Sequence, residues 1–130
     1  MKDLFKEAVD KLSKENLSPQ EMSRIVSSSL PKIYEEVLRD GNYYVIKRNG
    51  ILEKFDCQKI ETSLARASDD IGQPLGSREL KIFCEDVKKE ATKDRRILYS
   101  WQLRDLLMEK LYKDKYYDIL KNYKKGGKGV

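Results

Sequence analysis

The chain has 130 residues, enough for one compact domain with an appended segment and too few for two ordinary domains. Hydrophobic residues make up 39% and charged residues 38%, which excludes both a disordered chain and a membrane-embedded one. The formal net charge is +5, and most of the excess sits in residues 113–130, where six lysines face only Asp114 and Asp118. No run nears the roughly 18 apolar residues of a membrane span, and the opening MKDLFKEAVDKLSKE lacks the apolar centre of a secretory leader. Cys57 and Cys84 have no histidine or third cysteine to complete a metal set, so they are expected to be reduced structural thiols in a cytoplasmic protein.

In chain order, Leu4, Phe5, Ala8, Val9 and Leu12 fall on one helical stripe and predict a helix over 2–15. Ser18-Pro19-Gln20-Glu21 places a hydroxyl at the N-cap, proline at the first helical position and glutamate at the third, so a second helix starts at Pro19. Pro31 restricts the residue before it, and the run Ile33, Tyr34, Val37 and Leu38 reads as a third helix or a kinked continuation ending near Gly41. The texture changes at residue 43. Tyr43-Tyr44-Val45-Ile46 is rich in strand formers, Asn49-Gly50 suits a two-residue type I′ turn, and Ile51 to Phe55 returns as the second strand.

Four helices follow. Asp56 caps the first, which carries Ile60, Leu64, Ala67 and Ile71 before Gly72 closes it. Ser77 caps one over about 78–92, with Leu80, Phe83, Cys84 and Val87 inward. Ser100 caps one bearing Leu103, Leu106, Leu107 and Leu111, and the last runs from about Lys115 to Lys124 with Tyr116, Ile119, Leu120 and Tyr123. The expected fold is α+β and mainly α: a β-hairpin followed by about four helices, preceded by a short helical arm. The expected organisation is an extension over 1–42, a domain over 43–125 and a flexible basic tail over 126–130.

Chemistry concentrates around the hairpin. Lys47 and Arg48 leave the end of one strand, and Lys59 falls in the first turn of the next helix, where unpaired N–H groups and the helix dipole already favour an anion. A cation is otherwise disfavoured at a helix start. The run Val45-Ile46-Lys47-Arg48-Asn49-Gly50, then Phe55-Asp56, then Lys59-Ile60, resembles the opening of the ATP-cone, a small regulatory domain at the front of many ribonucleotide reductases and within transcriptional repressors of reductase genes. The resemblance covers 43 to about 125. It implies a hairpin lid over ATP or dATP, with or without Mg2+. Lys47, Arg48 and Lys59 would meet the phosphates, Val45, Phe55 and Ile60 would form apolar walls, and Glu53 and Asp56 would accept hydrogen bonds from base or ribose. Ser100, Arg104 and Lys124 match further positions near the nucleotide. Asn49 replaces the family's usual aspartate, and the short linker before the last helix departs from the pattern.

Catalytic groups are not evident in the sequence. Asp69 and Asp70 are adjacent on a helix and do not face one site. No Gly-x4-Gly-Lys-Ser/Thr loop or nucleophile–base pair is present. The expected function is therefore a non-enzymatic adenine-nucleotide sensor, acting through self-association or on a ribonucleotide reductase in trans, with a fragment of a larger enzyme as the other possibility. The alternative from another class is a small basic nucleic-acid-binding module, using Lys121, Lys124, Lys125 and Lys128 interleaved with Tyr123.

Overall fold

The structure, a computed structural model, describes residues 4–14 and 16–126, and these divide into two units meeting at Asn42 and Tyr43. The first unit holds α1 (Leu4–Lys14) and α2 (Pro19–Val37), which pack against each other. The capping box forms as the sequence predicts: Ser18 Oγ accepts from Glu21 N at 3.2 Å and Glu21 Oε1 accepts from Ser18 N at 3.2 Å. Pro31 does not break α2, which continues through it to Val37 and closes with Leu38 N–H donating to Tyr34 O at 2.8 Å. A proline removes one backbone donor, and the helix survives that loss. No residue of α2 is buried, and Met22, Val26 and Val37 are exposed, as is Val9 on α1. The side chains of Leu4, Phe5 and Ala8 lie outside the described residues, as do positions 2, 3 and 15 of the expected first helix.

The second unit begins with β1 (Tyr44–Ile46) and β2 (Leu52–Lys54), antiparallel with Val45 opposite Glu53. The turn between them corrects the type I′ expectation, which requires two consecutive residues at positive φ. Gly50 alone is left-handed, at φ 85°. Gly50 N–H donates to Lys47 O and Lys47 N–H to Ile51 O, each at 2.8 Å, leaving a three-residue loop of Arg48, Asn49 and Gly50. Asn49 Oδ1 accepts from Ile51 N at 3.1 Å, so the asparagine bonds its own backbone and need not adopt positive φ itself.

Four helices follow: α3 (Cys57–Asp69), α4 (Ser77–Ala91), α5 (Ser100–Lys113) and α6 (Tyr117–Gly126). Asp56 caps α3 as read, its Oδ1 accepting from Gln58 N at 2.9 Å, and Gly72 closes the turn after it at φ 69°. The caps of α4 and α5 fall one residue earlier than the serines suggested. Gly76 N donates to Glu79 Oε1 at 3.3 Å and Tyr99 N to Gln102 Oε1 at 2.8 Å, so a side chain at the third helical position satisfies the entering backbone.

A third strand, β3 (Ile97–Tyr99), was not foreseen; it pairs parallel to β1 and gives the sheet order β2-β1-β3. Behind the sheet the helices close a ring, α3 on α4, α4 on α5, α5 on α6 and α6 back on α3. Ile60, Leu64 and Ala67 from α3, Leu103, Leu107 and Leu111 from α5, and Ile119 and Tyr123 from α6 meet Val45 and Leu98 in one core. Lys121, Lys124 and Lys125 belong to α6, and residues 127–130 of the expected tail lie outside the described residues.

The cysteines correct another expectation. Packing of α3 on α4 brings the Cα atoms of Cys57 and Cys84 to 5.9 Å, and the two form a disulfide instead of standing as separate thiols. Their spacing of 27 residues in sequence carried no information about this contact. The expectation of a cytoplasmic protein loses the support drawn from reduced thiols. Among the described residues no helix is long and apolar enough to cross a membrane.

Candidate functional site

The register of the hairpin places Glu53 beside Val45 on the strand face that looks into the unit. From there the Glu53 carboxylate meets both predicted lysines: Oε1 is 2.5 Å from Lys59 Nζ and Oε2 is 3.7 Å from Lys47 Nζ. The hydrogen bond from Lys59 holds the Glu53 carboxyl below its usual range, against the desolvation that opposes this, and the Lys47 charge adds to it. The same bond holds Lys59 above the usual lysine range. Two cations from different elements thus share one carboxylate at the start of α3. An anionic group entering here meets positive charge already gathered.

Val45, Lys47, Glu53, Asp56, Lys59 and Leu103 line a small cavity of about 20 Å³ under the hairpin. Asp56 and Lys59 also line a much larger groove of about 760 Å³ between α3 and α6, within the size range of small-molecule sites. Gln58, Thr62, Ser63, Arg66, Ala67 and Asp70 form its α3 wall, and Asn122, Tyr123 and Lys125 its α6 wall. Asn122 Nδ2 donates to Ala67 O at 2.9 Å, and Gln73 Nε2 to Asp118 Oδ2 at 3.3 Å, so the two walls are tied together beside the groove. Lys59, Arg66 and Lys125 give the groove three cations, Thr62 and Ser63 add hydroxyls, and Asp56 and Asp70 add two carboxylates.

The remaining predicted residues fall into two sets. Arg104 on α5 lies over the Tyr123 ring, 5.7 Å from its centroid, and its Nη2 reaches the Lys124 carbonyl at 3.5 Å, so Arg104 and Lys124 adjoin the groove through Tyr123. Arg48 is exposed at the hairpin loop, and Ile60 is buried in the core at 1% exposure. Phe55 is half-buried with Lys88 Nζ 5.8 Å from its ring, and Ser100 is the first residue of α5; neither lines the small cavity or the groove.

Sequence reasoning missed the α6 wall and most of the α3 wall. For α3 a signal existed: Lys59, Thr62, Ser63 and Arg66 recur at three, four and seven along one helical face. Such a stripe also reads as an ordinary solvated face. Tyr123 and Lys125 were read only within the basic cluster of the nucleic-acid alternative, and that they wall a groove with Asn122 depends on how α6 returns to α3.

No curated protein gives a significant match to the chain. Residues 43–125 match the ATP cone domain, a regulatory, non-catalytic module that senses adenine nucleotides. That span is well over half of the 130 residues and holds the three-stranded sheet and the helices α3 to α5 with nearly all of α6. The chain therefore belongs to the ATP-cone family.

Proposed function

We propose that this protein binds ATP or dATP with its phosphates at the junction of hairpin and α3, hydrolyses neither, and passes the nucleotide state on by associating with itself or with a partner such as a ribonucleotide reductase. The observation that carries the reading is the position of Lys59. It lines both the hairpin cavity and the α3–α6 groove, at a helix N-terminus, with Lys47 gathered to the same carboxylate. In this reading a triphosphate takes over Lys47 and Lys59, and Glu53 is released to accept from the base or ribose. Arg48 at the loop closes over the phosphates, Arg66 and Lys125 extend the positive wall, and Arg104 and Lys124 border it. Asp56, Val45, Phe55, Ile60 and Ser100 complete the set carried by the family likeness. A Mg2+ ion accompanying the nucleotide would have the Asp56 and Asp70 carboxylates of the groove within the proposed site, one or two carboxylates being the usual protein share beside the phosphates.

Residues 43–125 form the sensing domain in this proposal, residues 1–42 an extension, and 126–130 a tail. A state can be transmitted by association only if nucleotide binds the associated and separate forms with different affinity. Calorimetric titration with ATP, dATP and GTP, run beside a phosphate-release assay and sedimentation with each ligand, tests the reading. The expected result is micromolar binding of ATP or dATP, weaker GTP, no phosphate release, and a change of mass with at least one nucleotide. Absence of heat with either adenine nucleotide at millimolar concentration refutes it.

A further inference from the structure

The disulfide between Cys57 and Cys84 sits where the proposed site is built. Cys57 is the first residue of α3, directly after the capping Asp56 and close to both the end of β2 at Lys54 and the phosphate-facing Lys59. Cys84 lies in the middle of α4, is 0% exposed, and is flanked by Phe83 and Val87, which are buried with it. The bond therefore fastens the charged end of α3 to a fixed part of the core.

The two helices do not need this bond to stay together. Ile60 and Leu64 of α3 and Leu80, Phe83 and Val87 of α4 belong to one buried cluster, and a reduced Cys84 would remain there as a small apolar side chain. What the bond adds is local. Ile60 is the first buried residue of α3, so residues 57–59 precede that anchor. Without the bond, two polar contacts hold them: the Asp56 cap on Gln58 N at 2.9 Å and the pair between Lys59 and Glu53. The second is the pair that a triphosphate takes over. A helix end held so lightly opens at small free-energy cost, and its geometry sets both Lys59 and the N–H groups at the start of α3. The sulfurs also differ in access, since Cys57 is half-buried and Cys84 fully buried, so an attacking thiolate reaches Cys57.

Resting on the nucleotide reading above, we propose that the Cys57–Cys84 disulfide is a redox-sensitive tether: oxidised, it holds the first turn of α3 in the geometry that receives phosphate, and reduction by a dithiol releases that turn and weakens the nucleotide complex. In the first step a thiolate of the dithiol bonds to Cys57 Sγ, the Cys57–Cys84 bond breaks, and the electron pair leaves on Cys84 Sγ, which takes up a proton. The reagent's second thiolate then attacks its own first sulfur, the mixed disulfide breaks, and Cys57 leaves as a thiolate at the N-terminus of α3, where negative charge is favoured, or takes up the second proton. The dithiol loses two electrons and two protons and becomes a disulfide; the cystine becomes two cysteines.

The test compares the full chain oxidised, reduced with dithiothreitol, and carrying Cys57→Ser, by calorimetry with ATP and by thermal unfolding, with intact mass reading the two added hydrogens. The reduced protein is expected to keep a cooperative unfolding transition at a lower Tm. A first turn in place about a tenth of the time gives a roughly tenfold weaker ATP complex, and Cys57→Ser should match it and ignore dithiothreitol. By linkage, saturating ATP should make the disulfide harder to reduce by the same tenfold, about 30 mV for two electrons. Equal ATP affinity of the oxidised and reduced chains overturns the proposal and leaves the nucleotide reading intact. So does Cys57→Ser binding as tightly as the oxidised chain, or two free thiols in protein equilibrated with oxidised glutathione. Loss of the cooperative transition on reduction also overturns it, because the bond then holds the fold and does not tune the site. If the oxidised chain binds no ATP, the nucleotide reading fails and the tether fails with it.

Discussion

Lys59→Ala separates binding from folding more sharply than any other single change in the site. The lysine side chain is 59% exposed and its partner Glu53 36% exposed, so their ion pair is a surface contact, screened by salt, whose loss changes stability little. Alanine is also the better helix former, and it removes a cation from the disfavoured end of the α3 dipole. These gains offset the lost pair, and the ligand-free Tm should move by no more than about 4 °C. Affinity behaves differently. A charge-assisted hydrogen bond to phosphate is lost, which corresponds to a roughly ten- to hundredfold weaker triphosphate complex. Glu53 then keeps only Lys47, at 3.7 Å, and its less compensated carboxylate repels the phosphates, so the loss should lie toward the upper end of that range. The measurement is calorimetry with ATP at about 0.15 M salt, paired with thermal unfolding. Unchanged affinity would remove Lys59 from the site, and a Tm drop far beyond a few degrees would show that the pair is structural.

Other changes probe the frame around it. Because Glu53 titrates below its ordinary 4.5 in the folded chain, its pairing contributes above that pH and is lost as pH falls through the folded value. Glu53→Gln should therefore lie slightly below wild type in Tm at pH 6 and converge with it in acid; a constant gap across the range would refute the assignment. Lys110 is 26% exposed and meets Asp114 at 3.0 Å and Asp86 at 3.4 Å, tying α5 to α4. Lys110→Ala should cost about 1 kcal/mol, read as a Tm loss of about 4 to 8 °C with nucleotide affinity unchanged. Gly50→Ala places a Cβ where nothing lies within 4 Å, so only the left-handed backbone at φ 85° opposes it; denaturant unfolding should show a loss of about 1 kcal/mol.

What the sequence made legible follows from the range of the interactions. Helix caps at Ser18 and Asp56, the closing Gly72 and the inward faces of α3 to α6 depend on neighbours within four residues, and each was readable. The hairpin was readable too, but its loop was not, since Asn-Gly fits more than one turn and the choice depends on whether Asn49 bonds Ile51 N. Ile97–Tyr99 is too short to show a period, and it becomes a strand only through parallel pairing with β1 some fifty residues earlier in the chain. The same reasoning applies to Cys57 and Cys84, joined across the α3–α4 contact, and to Tyr123, placed by the return of α6. Local pattern located the two lysines; long-range packing decided that a groove opens beside them.

The central place of β1 has a mechanical consequence. Its backbone is bonded on both sides, to β2 and to β3, and Val45 and Ile46 are buried, so lifting this strand would rupture two ladders at once. β2, with the loop from Arg48 to Gly50, can swing at the expense of one. The seam along which the hairpin can open therefore runs between β1 and β2, and amide exchange should be slowest over 44–46 and faster over 52–54. Whatever displaces β1 itself is carried into β3, which passes at Tyr99–Ser100 into α5 with no intervening linker. Under the proposed function, a nucleotide that shifts the sheet would therefore be expected to move the start of α5, the helix that bears Arg104.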